Sequence, residues 1–166
     1  MCPNGTDDTF SNGVGNTQYS VGAGTPATPA VVVSGSVLTN DTGTATLTAG
    51  PANIASTNGG AVAMASNGSF LYTPPVGFAG PSDTFTYTVT DGNALTDTAV
   101  VTINMSGVVW YVNPGGAAGD GRSSSPFNSM TAASTAAQAS QAIYVHAGTA
   151  GGATTLKSGQ VLAGAG

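Results

Sequence analysis

The chain has 166 residues and a formal charge of −5, with two basic and seven acidic side chains and only 5% charged residues in all. So few lysines and arginines leave nothing to neutralise phosphates, which excludes nucleic-acid binding. The absence of glutamate argues against an all-α fold, whose solvated faces normally carry Glu, Lys and Arg.

No apolar run approaches the roughly 20 residues needed to span a bilayer. Gly, Ala, Ser, Thr and Asn fill the surface instead, the composition of an extracellular β-protein solvated by hydroxyls and amides. The opening Met1-Cys2-Pro3-Asn4 has neither a basic nor an apolar region, so an exported form is expected to have lost its signal or to be an excised piece. Cys2 is the single cysteine, so no internal disulfide forms. It reads as an inert terminal thiol, the alternatives being an intermolecular bridge or a lipid-modified N-terminus.

In chain order, Asp7 to Phe10 and Thr17 to Val21 read as short extended segments separated by Ser11-Asn12-Gly13-Val14-Gly15. Gly24 to Pro29 is a connector, and Ala30 to Val33 a β-branched strand. Gly35 to Asp41 carries apolar residues into a turn. Thr44 to Thr48 is expected as a strand with Ala45 and Leu47 on one face. Ala61 to Ala65 and Ser69 to Thr73 flank Asn67-Gly68, a strong hairpin signal, with Val62, Met64, Phe70 and Tyr72 inward. Pro74-Pro75 ends that strand because proline cannot donate to a ladder. Val76 to Ser82 is a loop in which Phe78 is expected to plug one end of the fold.

Asp83 to Thr90 alternates Phe85, Tyr87 and Val89 with threonines, the period of a strand with one buried face. Asp91-Gly92-Asn93 breaks the run. A second alternating run then places Ala99, Val101, Ile103 and Met105 inward. Two such runs around a turn make an antiparallel hairpin, the central pair of a β-sandwich. Tyr87 lies two residues before Val89 on this strand, where a tyrosine corner would stand, so a structural hydroxyl bond is expected.

These segments resemble the bacterial cadherin-like and immunoglobulin-like repeats of large surface adhesins. The resemblance covers about residues 7–105 and is carried by Gly35 to Asp41, Asn67 to Pro74, Gly77-Phe-Ala-Gly80 and Asp83 to Gly92. It implies a sandwich and a cell-surface setting. Where such repeats often continue with further acidic residues after Asp41, this sequence has Thr42-Gly43-Thr44.

Ser106-Gly107 is expected to close the first domain, 1–106, and to open a second, 107–166. Val108 to Val112 reads as a new strand and Asn113 to Pro126 as a loop. Ser129 to Ala142 is the one helical candidate, with Ser129 as N-cap. Ala142 to Val145 is a strand, and Leu156 and Val161-Leu162 supply two more. This half resembles the start of a right-handed parallel β-helix of the pectate-lyase type, on Trp110 to Pro114, Gly119-Asp-Gly121, Ser125 to Phe127, Ile143 to Val145 and Leu156 to Leu162. The resemblance implies a helix that caps the coil, followed by its first rungs. The fold class expected is therefore all-β: an immunoglobulin-like sandwich followed by a short β-helix-like segment with one capping α-helix.

Candidate chemistry is sparse. His146 has no nucleophile motif or second metal-type ligand in sequence reach and reads as a satisfied or solvated histidine. Asp83, Asp91, Asn93 and Asp97, with Asn40 and Asp41, are turn-forming residues whose oxygens are also candidate ligands for Ca²⁺, a hard cation that takes six to eight of them. No other cofactor is expected. Trp110 is either a core residue or a stacking platform for a glycan. Ile143, Val145, Leu156, Val161 and Leu162 form an apolar stripe that a following rung would cover, and an uncovered strand edge templates another chain. Residues 7–21 are a candidate donor strand.

The reading that follows is an extracellular, non-enzymatic structural or adhesive protein. It joins neighbouring repeats or polymerises by strand addition, with a glycan or host surface as a further candidate partner. The alternatives are the non-catalytic N-terminal part of a carbohydrate-active β-helix enzyme and a glycan-binding module.

Overall fold

The computed structural model describes residues 2–22, 24–148 and 155–164. Two sheets face each other. One runs β3(Val31–Val33), β2(Tyr19–Val21), β7(Phe70–Thr73), β6(Ala61–Met64), β5(Asn53–Ala55). The other contains β4(Thr48–Gly50), β8(Ser82–Thr90) and β9(Thr96–Val112), then β10(Ala142–Val145) and β11(Val161–Gly164), with β1(Asp8–Gly15) also paired to β9. Tyr19, Val21, Val62, Phe70, Tyr72, Phe85, Tyr87, Val89, Val101 and Ile103 are buried between the sheets. The alternation in the sequence therefore does place one face of each strand in a common core, and Phe85, Tyr87 and Val89 lie where the pattern puts them.

The hairpin of β8 and β9 is antiparallel, from Ser82 opposite Asn104 to Thr90 opposite Thr96. The Asn67-Gly68 turn joins β6 and β7 as expected. Phe78 packs partly buried against the sandwich core.

Five expectations need correction. First, residues 8–15 are one strand, parallel to β9, because Asn12-Gly13 is absorbed as bulges and does not turn the chain. A Cβ on Gly15 would stand 2.2 Å from the Phe78 carbonyl oxygen, so only glycine allows this approach. The turn comes later, at Asn16, with φ of 65°. Second, the strand expected over 44–48 begins only at Thr48. Ala45 has φ of 68°, and the Thr44 carbonyl accepts from Gly92 N across the sandwich end.

Third, Val108 to Val112 does not start a new strand. β9 runs unbroken for 17 residues through Ser106-Gly107, leaving one apolar cluster that ends at Met105 and entering another that begins at Val108. Fourth, the helix α1(Met130–Ala136) is shorter than the expected 129–142. Ser129 caps it, accepting from Ala132 N, but Ala137 already has extended dihedrals and Ala142 opens β10. Fifth, Leu156 lies outside any strand, and only Val161–Gly164 pairs.

The junction between the two clusters is tied by buried polar contacts. Asn16 O accepts from Ser123 N at 2.7 Å, Ser123 Oγ accepts from Gln18 N at 2.9 Å, and Thr17 Oγ1 meets the Tyr111 hydroxyl at 2.7 Å. Arg122 pairs with Asp120 at 2.6 Å and also reaches the Pro74 carbonyl.

Candidate functional site

The end of β9, β10 and β11 form a parallel stack. Val109, Ala142 and Val161 share one level, followed by Trp110, Ile143 and Leu162, then Tyr111, Tyr144 and Ala163, then Val112, Val145 and Gly164. Along one face, Trp110, Val112 and Ile143 are buried with Met130 and Ala133 of α1, and Val145 packs beside them. The tryptophan ring stacks on Phe127 at 5.8 Å, and its Nε1 donates to Gln141 Oε1. At 6% exposure, with its ring stacked on Phe127, Trp110 is a core residue with almost no open face for a glycan to stack on.

The outer side of β11 is different. All four of its residues are exposed, Val161 at 60% and Leu162 at 52%. Leu162 continues the column that is fully buried at Ile143 one strand in. Of the stripe expected to drive assembly, Ile143 and Val145 are therefore covered within the chain, and Leu156, Val161 and Leu162 remain open. Lys157 does not blunt this edge, since its ammonium donates to the carbonyls of Thr135, in the last turn of α1, and of Ala137, its C-cap. The donor-strand expectation for residues 7–21 is also corrected: β1 is paired along β9, and β2 lies between β3 and β7.

The polar residues of the sandwich form separate clusters. Asp83 is buried and its two oxygens are saturated: Ser56 Oγ donates at 2.5 Å, Tyr72 OH at 2.7 Å, Asn58 Nδ2 at 2.9 Å, Asn58 N at 3.0 Å and Thr84 N at 2.9 Å. Burial raises this carboxyl, but the donors from Ser56, Tyr72 and Asn58 outweigh it and hold Asp83 below the usual carboxylate range. Tyr72 is pushed up, by burial first and then by the Asp83 carboxylate.

Asp91 Oδ1 organises the hairpin tip by accepting from Asn93 N and Leu95 N, leaving its buried Oδ2 without a partner among the described residues. Asp97 Oδ2 accepts from Gly5 N. Asn93 is exposed. The structure does not bring these candidate ligands together, because Asp83 and Asp91 stand at opposite ends of β8, about 26 Å apart at a strand's rise per residue. Among the described residues no group of three or more His, Cys, Asp or Glu side chains converges.

Tyr87 is the centre of a cluster that only the fold assembles. Its hydroxyl lies 3.0 Å from Asp8 Oδ2, 2.9 Å from Asp41 Oδ2 and 3.0 Å from the Val37 carbonyl. A structural hydroxyl bond at Tyr87 was legible in the sequence. Its partners, 79 and 46 residues away in the two carboxylates, were not. Burial, opposed by the Tyr87 hydroxyl and reinforced by Asp41, pushes the Asp8 carboxyl up to about 6. His146 packs its ring against Tyr111 and Tyr144. Cys2 is a free, exposed thiol.

Against known families, a model described as bacterial Ig domain matches residues 6–104, more than half the chain. The chain belongs to the bacterial Ig domain family. The matched span is the Ig domain of two packed sheets, and it ends one residue before Met105, the last residue of the sandwich core. No curated protein and no solved structure is significantly similar to the chain. No described helix is long and apolar enough to cross a membrane.

Proposed function

We propose that this chain is a non-catalytic structural and adhesive module of a bacterial surface protein, working outside the cell. Its Ig domain serves as a rigid spacer, and its parallel stack, the start of a β-helix, is extended by strand addition from a neighbouring repeat or a second copy. One observation carries the reading: β11 offers four exposed residues with an unfilled apolar column at the edge of an in-register parallel stack. Such an edge presents unpaired N–H and C=O groups, and strand addition satisfies them while covering Val161 and Leu162. The nearly uncharged surface fits this role, since few side chains oppose close approach of a second strand.

A contact between β11 and a different surface of the next copy is heterologous and does not close on itself, so it grows a chain of copies. The test is static light scattering of the whole chain over a wide concentration range, beside Leu162→Lys, which places a charge on the exposed edge. The wild-type chain should gain mass with concentration and the variant should remain monomeric. A wild-type chain that stays monomeric at the highest concentration contradicts strand addition between copies.

A further inference from the structure

The cluster at Tyr87 holds more acceptors than protons. A phenol has one proton to donate, yet three oxygens surround it at hydrogen-bond distance: Asp8 Oδ2, Asp41 Oδ2 and the Val37 carbonyl. With both carboxyls ionised, one contact is a hydrogen bond and two set lone pairs against lone pairs. One added proton changes this. A protonated Asp8 donates to the phenol oxygen, which passes its own proton to Asp41 or to Val37, and the network becomes a chain of donors and acceptors.

Asp8 is the first residue of β1, opposite Val101 on β9. The segment leading into it is held by the same loop that carries Asp41. Asn4 and Thr42 exchange two backbone hydrogen bonds, Thr6 N donates to Asp41 Oδ1 at 2.7 Å, and Asn40 Nδ2 donates to the carbonyls of Thr6 and Asp7. From β9, Asp97 accepts from Gly5 N, and Val100 N donates to Asp7 Oδ1. The titratable groups facing Asp8 are thus Tyr87 from β8, Asp41 from the loop and Asp7, the residue just before β1. Neither basic side chain offsets them, since Arg122 is paired with Asp120 and Lys157 with carbonyls at the C-terminal end of α1.

We propose that Asp8, Asp41 and Tyr87 form a proton-operated latch on the N-terminal strand. Mild acid seats β1 against β9 and the 40–42 turn, and neutral to alkaline pH loosens it, easing exposure of the edge of β9 from Val101 to Val108. The latch is independent of whether β11 pairs with another strand. The raised Asp8 carboxyl is the titration signature this geometry produces, with its charged form disfavoured by burial and by Asp41.

The test compares the whole chain with Asp8→Asn, whose amide donates as the protonated acid would, at any pH. Between pH 8 and pH 5 the thermal midpoint of the wild-type chain should rise. That of Asp8→Asn should stay flat across the same range and exceed the wild type at pH 8. Amide exchange in β1, measured against Asp8→Asn to cancel the intrinsic pH dependence, should lose protection in the wild type as pH rises. Carbon-detected titration of the wild-type carboxyl should place Asp8 near 6, against about 3.9 for a free aspartate. Parallel pH profiles for the two proteins, or an Asp8 titration near 4, overturn the latch.

Discussion

Replacing Asp83 by alanine removes an acceptor that five donors share. Tyr72, fully buried, and Ser56, at 7% exposure, lose their acceptor where water does not reach them. Each buried donor left unpaired costs about 1–3 kcal/mol. The Asn58 and Thr84 donors are partly exposed and recover some solvation, so they add little. The sum is about 4 kcal/mol, a large fraction of the 5–15 kcal/mol typical of a domain. Asp83→Asn should cost less, about 1–2 kcal/mol, because the hydroxyls of Ser56 and Tyr72 can turn to accept from the new amide. Urea denaturation at pH 7 followed by far-UV circular dichroism measures both. The pH limb gives a second check. Because the folded Asp83 carboxyl lies below its unfolded value, the stability it contributes is present above about pH 4 and is lost as pH falls through the folded value. The Asp83→Ala variant should lack its share of that acid limb. A cost below 1 kcal/mol for Asp83→Ala would refute the saturated network.

Tyr87→Phe should destabilise the chain by about 1 kcal/mol at neutral pH by removing the one hydrogen bond that the phenol donates into the Asp8–Asp41–Val37 cluster, as read by the denaturation midpoint. Trp110, the single tryptophan, reports the second cluster, whereas the far-UV signal reports mostly the sandwich. The two transitions should coincide because β9 runs through both clusters and buried hydrogen bonds join them; separated transitions would show two independent units. Chelator should leave the melting temperature unchanged, since the oxygens of Asp83 are filled by protein donors and the candidate ligands do not converge. A loss of several degrees restored by Ca²⁺ would show a cation stabilising the native state.

What the sequence made legible follows from how local each signal is. Phe85, Tyr87 and Val89 against Ala99, Val101 and Ile103 declare a hairpin because alternation and an Asp-Gly-Asn turn are short-range facts. The same holds for Asn67-Gly68 and for the Ser129 cap. β5 was not legible: Asn53-Ile54-Ala55 has a single large apolar residue and is a strand only because β6 lies alongside. The Asn12-Gly13 turn signal was overruled by pairing with β9, and the new strand expected after Ser106-Gly107 by the continuity of β9 across two clusters. The end of the helix at Ala136 was not legible because Ala-rich spacing does not mark a C-terminus when no glycine follows. The Asp8–Tyr87–Asp41 and Asp83 clusters were hidden for the same reason, since their members meet only across the folded sheets.

Addition of a further strand to the exposed edge of β11, as proposed, would give an assembly large enough to see. Negative-stain electron microscopy of the purified full chain tests it most directly. Linear assemblies of regularly repeated units, absent from the Leu162→Lys variant, are the predicted result. A field of single, uniform particles from the wild-type chain at every concentration would contradict it.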